Sequence, residues 1–499
     1  MHSESLWVVM AKNIRRLVGL LLFAMCLSAC VTNPVTGSRE VVFMTQTREV
    51  ELGRSAHDDI TQQMGVYDDE ELQQYVVEIG QELADVSHRP DLPWTFTIVD
   101  SPVVNAFALP GGFIYVTRGL MTHLGDESEL AGVLGHEVGH VTARHSVQAY
   151  TRATSAQMGL MLGQIFVPAM RSPYGAPGLG DVAAQGLGLL FLKFGRDDEK
   201  QADRLGAEYA AYSGWNPNGV GGMLTTLSRI ADTTDRRGTP NWLSTHPDPA
   251  DRVLDVAGTV DGLLAGVVDE SELRVRRDQF LDRIDGMYYG DNPEQGITIG
   301  QEFLHPVLMF ALMFPDGWEI QNNPEMVVAN ESGQDHYMVL RASSGSGRSL
   351  DQVADKEMAD AGFRRDQGQT TEMNGLDAYL GLYSRTQQAA QTMVAQVAHI
   401  RHDRTVYMLG VFADVDRYQS IERVVSGSLR SFRPLTQAEA DKIKPNRISI
   451  YTVRAGDTWE QLAQERDMIV DAQVLAIMNG YTVDEQPVQG GRIKTVVAG

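Results

Sequence analysis

The stretch Gly135-His136-Glu137-Val138-Gly139-His140 decides how the rest of this chain is read. Its pattern is His-Glu-x-x-His. On a helix, residues four apart sit one turn above each other on one face. His136 and His140 can therefore both aim an imidazole nitrogen at one zinc ion, each about 2.1 Å from it. Glu137 lies one position round from His136. From there its carboxylate can reach a water on such a metal and take its proton.

The flanking residues predict the helix this needs. Asp126-Glu-Ser-Glu129 opens it, with Asp126 capping free N–H groups and Glu129 as its capping-box partner. Leu130, Val133, Leu134 and Val141 supply a buried stripe. Two protein ligands do not complete a catalytic zinc site, which takes three plus water. Glu199-Lys-Gln-Ala-Asp203, on a helix starting near Asp197, offers the best third ligand. Glu199 brings a carboxylate oxygen. Asp203, one turn on, can accept the N–H of a ligand histidine and fix its tautomer. The alternative is that both belong to the solvated charged run Arg196–Lys200.

Other stretches arrange themselves around these helices. Asp68 to Val86 has helical spacing and is expected to pack on the catalytic helix. Trp94 to Val99 alternates like a strand. Asn105-Ala106-Phe107-Ala108-Leu109, the turn Pro110-Gly111-Gly112 and Phe113 to Thr117 read as a hairpin. Tyr150 to Phe194 is apolar and interrupted by Ser172 to Gly180. It reads either as a helical hairpin of the core or as a mobile flap over the site. Ser244-Thr-His246-Pro is a turn leading into a helix, and His246 is either a capping residue there or a group acting at the site. Leu273 to Asp285 closes the first domain.

Three stretches together resemble one family, the HtpX/BepA/Oma-type zinc endopeptidases among the gluzincin peptidases. They are Asn105 to Gly112, His136-Glu-Val-Gly-His140 continuing to Arg144-His145, and Arg196-Asp-Asp-Glu199-Lys-Gln-Ala-Asp203. The similarity spans about residues 35 to 260. It implies an α+β fold, with a mainly helical gluzincin catalytic domain and a small edge-strand sheet over residues 49–285. It implies one Zn2+ per chain on His136, His140 and Glu199, with Glu137 as general base and Asp203 supporting a ligand histidine. It implies that Asn105, Ala106, Phe107, Ala108, Leu109, Pro110, Gly111 and Gly112 bind an extended substrate. An unpaired strand edge does this through the peptide backbone and tolerates many sequences. Zinc would polarise the scissile carbonyl, and the oxyanion needs one further donor. His246 is a candidate for that donor, or for a fourth ligand that shields the metal at rest. His145 reads as a supporting residue. Many members of this family are integral membrane proteins, whereas no long apolar segment follows residue 30 here.

With 499 residues, two to four domains are expected. The formal net charge of -23 argues against nucleic acid or an anionic membrane face as the main partner. The N-terminus reads as a secretory signal over residues 1–29. Arg15 and Arg16 precede an apolar run too short to span a bilayer, and Met10 offers an alternative start. The run ends Leu27-Ser28-Ala29-Cys30, which resembles a bacterial lipobox with lipid on Cys30. Cys26 and Cys30 are the only cysteines, and cleavage before Cys30 leaves no thiol for a disulfide. Residues 30–48 read as a tether, and Val31 after Cys30 points to the periplasmic face of the outer membrane.

Residues 300–432 read as a small α/β domain, an antiparallel sheet with helices on one face. Residues 434–447 read as a polar linker. Residues 448–497, with Tyr451-Thr-Val-Arg-Ala-Gly456-Asp457-Thr458-Trp459, resemble a LysM module, a βααβ unit that in many proteins binds peptidoglycan glycan. The expected function is zinc-dependent cleavage of unfolded or misassembled envelope proteins. Two others stand beside it: a periplasmic chaperone or assembly factor for outer-membrane proteins with secondary proteolysis, and a peptidoglycan-associated binding protein. The expected partners are misassembled proteins, peptidoglycan and, through Cys30, a membrane.

Overall fold

The computed structural model describes residues 30–41, 44–152, 194–233, 242, 246, 249–266, 270–324, 326–334, 336–343, 347–386, 392–465 and 469–499. Residues 1–29, expected to be a signal, and 153–193 of the apolar stretch expected to be a hairpin or flap lie outside them. The fold is α+β, and among the described residues no helix is long and apolar enough to cross a membrane.

The chain enters through a short hairpin, β1 (Cys30–Thr32) and β2 (Arg39–Val41). Then come α1 (Gln46–Met64) and α2 (Glu70–Asp85). Residues 30–48 are therefore not a free tether. Asn33 is buried and Val35 packs on the main core. The Pro-Gly-Thr composition that suggested slack instead builds a tight turn, in which the Asn33 side chain accepts the N–H groups of Val35 and Thr36.

A three-stranded sheet follows, with β5 (Phe113–Thr117) at its centre. β3 (Thr95–Val99) pairs with it in parallel and β4 (Ala106–Leu109) antiparallel. β4 is an edge strand. The turn into β5 runs through Gly111 and Gly112 at φ 86° and 101°, a region that glycine enters without strain.

The His-Glu-x-x-His sequence lies on α3 (Glu127–Thr142). Asp126 Oδ1 accepts the Glu129 N–H at 3.0 Å, as a cap should. The Glu129 carboxylate takes the N–H of Gly125 at 2.7 Å rather than that of Asp126, so the expected reciprocal box is displaced by one residue. All residues of α3 except Glu129 are buried, because α2, α4 (Arg196–Tyr212), α5 (Asn218–Thr233) and the small sheet enclose it. Glycine permits this closeness. A Cβ on Gly139 would lie 3.0 Å from the Ala202 carbonyl, and one on Gly206 would lie 2.8 Å from the His136 nitrogen. α3 and α4 thus touch backbone to backbone, which sets the start of α4 against the two histidines.

After α6 (Pro249–Leu264) and α7 (Arg277–Ile284) the chain makes β6 (Tyr288–Tyr289). A four-stranded sheet follows, from β7 (Ile297–Ile299), β8 (Glu302–His305), β9 (Phe310–Met313) and Arg433–Pro434. The strand near 309–314 belongs to this sheet and not to the larger one. The larger sheet has seven antiparallel strands and holds β10 (Arg364–Met373) at one edge. Its polar sequence, Arg-Arg-Asp-Gln-Gly-Gln-Thr-Thr-Glu-Met, carries no apolar alternation because nearly all of it is exposed. Two helices, α8 (Leu350–Asp360) and α9 (Val415–Leu429), pack on opposite faces and not on one. Met358 of α8 joins Val397 and Met408, whereas Tyr418 and Val425 of α9 join their chain neighbours Ala398 and Leu409. Adjacent strand residues point to opposite sides, so the two helices must lie apart.

The last unit is β11 (Asn446–Thr452), α10 (Trp459–Glu465), α11 (Ala472–Met478) and β12 (Arg492–Val497). Its strands pair antiparallel, and β11 also pairs with β6. The preceding 434–447 segment is structured, pairing with β9 and forming a turn of helix at Gln437–Ala440. Trp459, Leu475 and Ile493 belong to the same continuous core as Leu130 and Leu134 of α3.

Candidate metal centre

Four side chains converge where α3 meets α4. One nitrogen or oxygen from each of His136, His140, Glu199 and His246 lies within 4.8 Å of the others, and all four are buried. The Nε2 atoms of His136 and His140 are 3.0 Å apart. Glu199 Oε1 is 3.4 Å from His140 Nε2, and Oε2 is 3.7 Å from His136 Nε2. His246 Nδ1 sits 3.0 Å from Glu199 Oε1 and 3.4 Å from His136 Nε2.

The outer nitrogens fix which inner nitrogens are free. His136 Nδ1 donates to Asp203 Oδ1 at 2.9 Å, which leaves the lone pair on Nε2. His140 Nδ1 faces His145 Nδ1 at 3.0 Å, and His145 Nε2 donates to Gln201 Oε1 at 2.9 Å. With its proton on Nε2, His145 accepts from His140, and His140 too presents a lone pair inward. Burial holds His140 well below the usual imidazole range, so it stays neutral. Burial acts against ionisation of Glu199, but the charge on His246 beside it acts the other way, and the carboxyl is held well below its ordinary value. Two imidazoles with inward lone pairs and one ionised carboxylate are the donor set that a zinc ion takes.

Glu137 completes the arrangement. It is buried, neither oxygen has a hydrogen-bond partner among the described residues, and Oε1 lies 3.7 Å from His246 Nε2. Burial pushes its carboxyl up from the ordinary range, with the His246 charge pulling the other way. An orphaned buried carboxylate is costly unless water or substrate meets it. Such a group is suited to accept a proton.

Residues 70–260 match the model of Peptidase family M48. The chain carries a peptidase M48 domain. Within it lie both histidines, Glu137, Glu199 and His246. The beta-barrel assembly-enhancing protease of Escherichia coli (strain K12) is 32% identical over 206 residues, 40% of this chain and 41% of that one. The mitochondrial metalloendopeptidase OMA1 of Arabidopsis thaliana is 32% identical over 208 residues, 40% of this chain and 39% of that one. OMA1 of Schizosaccharomyces pombe is 30% identical over 185 residues, 36% of this chain and 51% of that one. The chain spans about half or less of the length of these curated relatives. A solved structure of CyanoP from Synechocystis sp. PCC 6803 matches 28% of this chain at 12% identity with a TM-score of 0.23.

Several groups around the M48 centre escape a motif search. Arg252, on α6, is buried and spans both acids of α4. Its Nη1 is 2.6 Å from Glu199 Oε2, and Nη2 and Nε reach Asp203 at 2.6 and 2.7 Å. Trp242 stacks on His246 at 4.8 Å between ring centres, and Phe194 on His140 at 4.1 Å. Spacing along the sequence gives no hint of these contacts; only the six-residue separation of Arg252 from His246 ties it to a singled-out residue. The edge strand β4 lies against α3, with Ala106 in the core they share. The Asn105 side-chain carbonyl at its start is buried and unpaired among the described residues.

Proposed function

We propose that this chain is a zinc-dependent endopeptidase of the bacterial cell envelope. The observation that supports it most is the convergence of His136, His140 and Glu199 beside the unpartnered carboxylate of Glu137. In this reading His136, His140 and Glu199 hold the zinc, whose role when bound is to acidify a water and polarise the scissile carbonyl. Glu137 takes the water proton and passes it to the leaving amine. Asp203 and His145 hold the two ligand imidazoles in the required tautomer. Residues Asn105 to Gly112 take the substrate as an added strand.

His246 has two readings, oxyanion donor or fourth ligand. Its position inside the ligand group, 3.0 Å from Glu199 and stacked under Trp242, favours the fourth ligand, which would add one more nitrogen donor to a bound zinc. Lipid on Cys30 and an outer-membrane, periplasmic location follow from the Leu27–Cys30 sequence. The name of the Escherichia coli relative, a beta-barrel assembly-enhancing protease, makes misassembled outer-membrane proteins the first substrates to try. It also keeps alive an assembly-factor role in which cleavage is secondary. The 448–497 unit is read as LysM-like with peptidoglycan as its ligand.

The test is a digest of unfolded polypeptide with mapped cleavage sites, run with zinc, after chelation and after zinc is restored. Cleavage that survives chelation overturns the proposal.

A further inference from the structure

The N-terminal hairpin leaves Cys30 almost no slack. Asn33, three residues on, donates from Nδ2 to the Ala143 carbonyl at 3.0 Å and to Glu40 Oε1 at 2.8 Å. Gln148 Nε2 joins Glu40 Oε2 and the same Ala143 carbonyl at 2.9 and 3.1 Å. Ala143 caps the C-terminal end of the metal helix α3. Arg89 donates to the Val141 carbonyl at 3.1 Å while its guanidinium grips Glu49 of α1. Arg144 reaches the Met44 carbonyl at 3.0 Å and pairs with Glu49. Carbonyls at the end of a helix have no partner within it and need outside donors. Here the donors come from the entry hairpin and from residues that grip α1, so the hairpin and the metal helix form one rigid piece.

Chain length then sets a distance. A fully extended chain covers at most about 3.6 Å per residue, so Cys30 stands no more than about 11 Å from Asn33, whereas a free 30–48 tether would reach about 65 Å. His140 precedes Ala143 by three residues, about 5 Å along the helix axis. Residues 31–48 carry Arg39 and Arg48 against Glu40, a net of +1 in a chain of -23. Of these, Arg39 is exposed on the hairpin, whereas Arg48 is paired with Glu51.

We propose that a lipid bilayer is the partner of this face, with the C-terminal end of the metal helix turned toward the headgroups and the metal centre within about 25 Å of them. The proposal rests on the reading of Cys30 as lipidated.

The experiment uses the full chain, processed in bacteria and reconstituted into phosphatidylethanolamine–phosphatidylglycerol vesicles. A mature chain lipidated at Cys30 has no free thiol, so Ser38→Cys, in the exposed turn, takes a single fluorophore. Thr36→Cys serves if that variant does not fold. Energy transfer to rhodamine-labelled lipid is expected to be high and to fall at least threefold when twenty Gly and Ser residues are inserted between Val31 and Thr32. Equal transfer with and without the insert overturns the proposal and leaves the lipidation reading standing. An intact mass showing no lipid on Cys30 overturns both.

Discussion

Lys494, five residues before Gly499, donates from its ammonium group to the carbonyl of Leu124, a sequence separation of 370 residues. Leu124 stands just ahead of the Asp126 cap of the metal helix. Lys494 is wholly buried, and burial pushes its ammonium down to about 7 against the attraction of Glu129. Arg277 links the same two regions through the carbonyls of Gly125 and Arg492. The last βααβ unit is thus part of the scaffold that starts the metal helix.

Truncation before Asn446 is therefore expected to unfold the peptidase domain, because it uncovers apolar core shared with α3. Lys494→Met, which keeps the volume but loses the donor, is expected to cost about 1–3 kcal/mol by leaving a buried carbonyl unpaired. Urea unfolding followed by circular dichroism measures both. A truncated chain with an unchanged unfolding midpoint would show that the unit is merely appended.

Glu137→Gln is expected to keep the metal and lose roughly 10²–10⁴-fold in peptide hydrolysis, the span of a general base. Zinc content is read by elemental analysis and cleavage with a quenched fluorescent peptide. Retained activity would falsify the assignment of the base.

Arg252 joins Glu199 and Asp203, so Arg252→Met should loosen the ligand carboxylate and the acid behind His136 together. The expected effect is a fall in zinc affinity of about 10–100-fold, the usual cost of losing a group that orients ligands. Competition with a fluorescent chelator measures it. Unaltered affinity would mean that Glu199 is held by the helix alone.

The helix, its cap and the two histidines were legible in the sequence because each depends on spacing within a dozen residues. Spacing to Asp203 left Glu199 beside the alternative of a solvated charged run, and it was the resemblance of Arg196 to Asp203 to the family motif that singled it out. Arg252, Trp242 and Phe194 were not legible, since they reach the centre through folding contacts that leave no periodic trace. The docked hairpin was misread for a related reason. Asn33, Pro34 and Gly37 have the composition of a loose segment, and only the Ala143 carbonyl, 110 residues away, explains why Asn33 is buried. The edge strand Arg364–Met373 went unseen because a strand exposed on both sides has no reason to alternate.

His246→Ala separates the two readings of that residue. As a fourth ligand, its removal uncovers the metal, and hydrolysis of a short peptide should rise several-fold with zinc retained. As an oxyanion donor, its loss should lower the rate by about 10²–10³. The stacked position on Trp242 favours a rise, and a large fall in rate would reverse the assignment.

Acid should destabilise the fold through two histidines remote from the metal. His123 is buried with Nδ1 2.8 Å from the Gly119 carbonyl, and burial pushes its imidazole down to about 4. His305 is likewise pushed down to about 4 by burial. Between pH 4 and 6.5 the unfolded chain protonates these rings and the folded chain does not. Their contribution is therefore complete above about pH 6.5 and is lost as the pH falls toward 4, at about 1.4 kcal/mol per unit for each ring. His123→Asn keeps a donor for Gly119 but cannot titrate. Urea unfolding of this variant at several pH values is expected to give a slope shallower by that amount. A slope identical to that of the parent chain would mean that His123 takes up its proton in the folded state as readily as in the unfolded one.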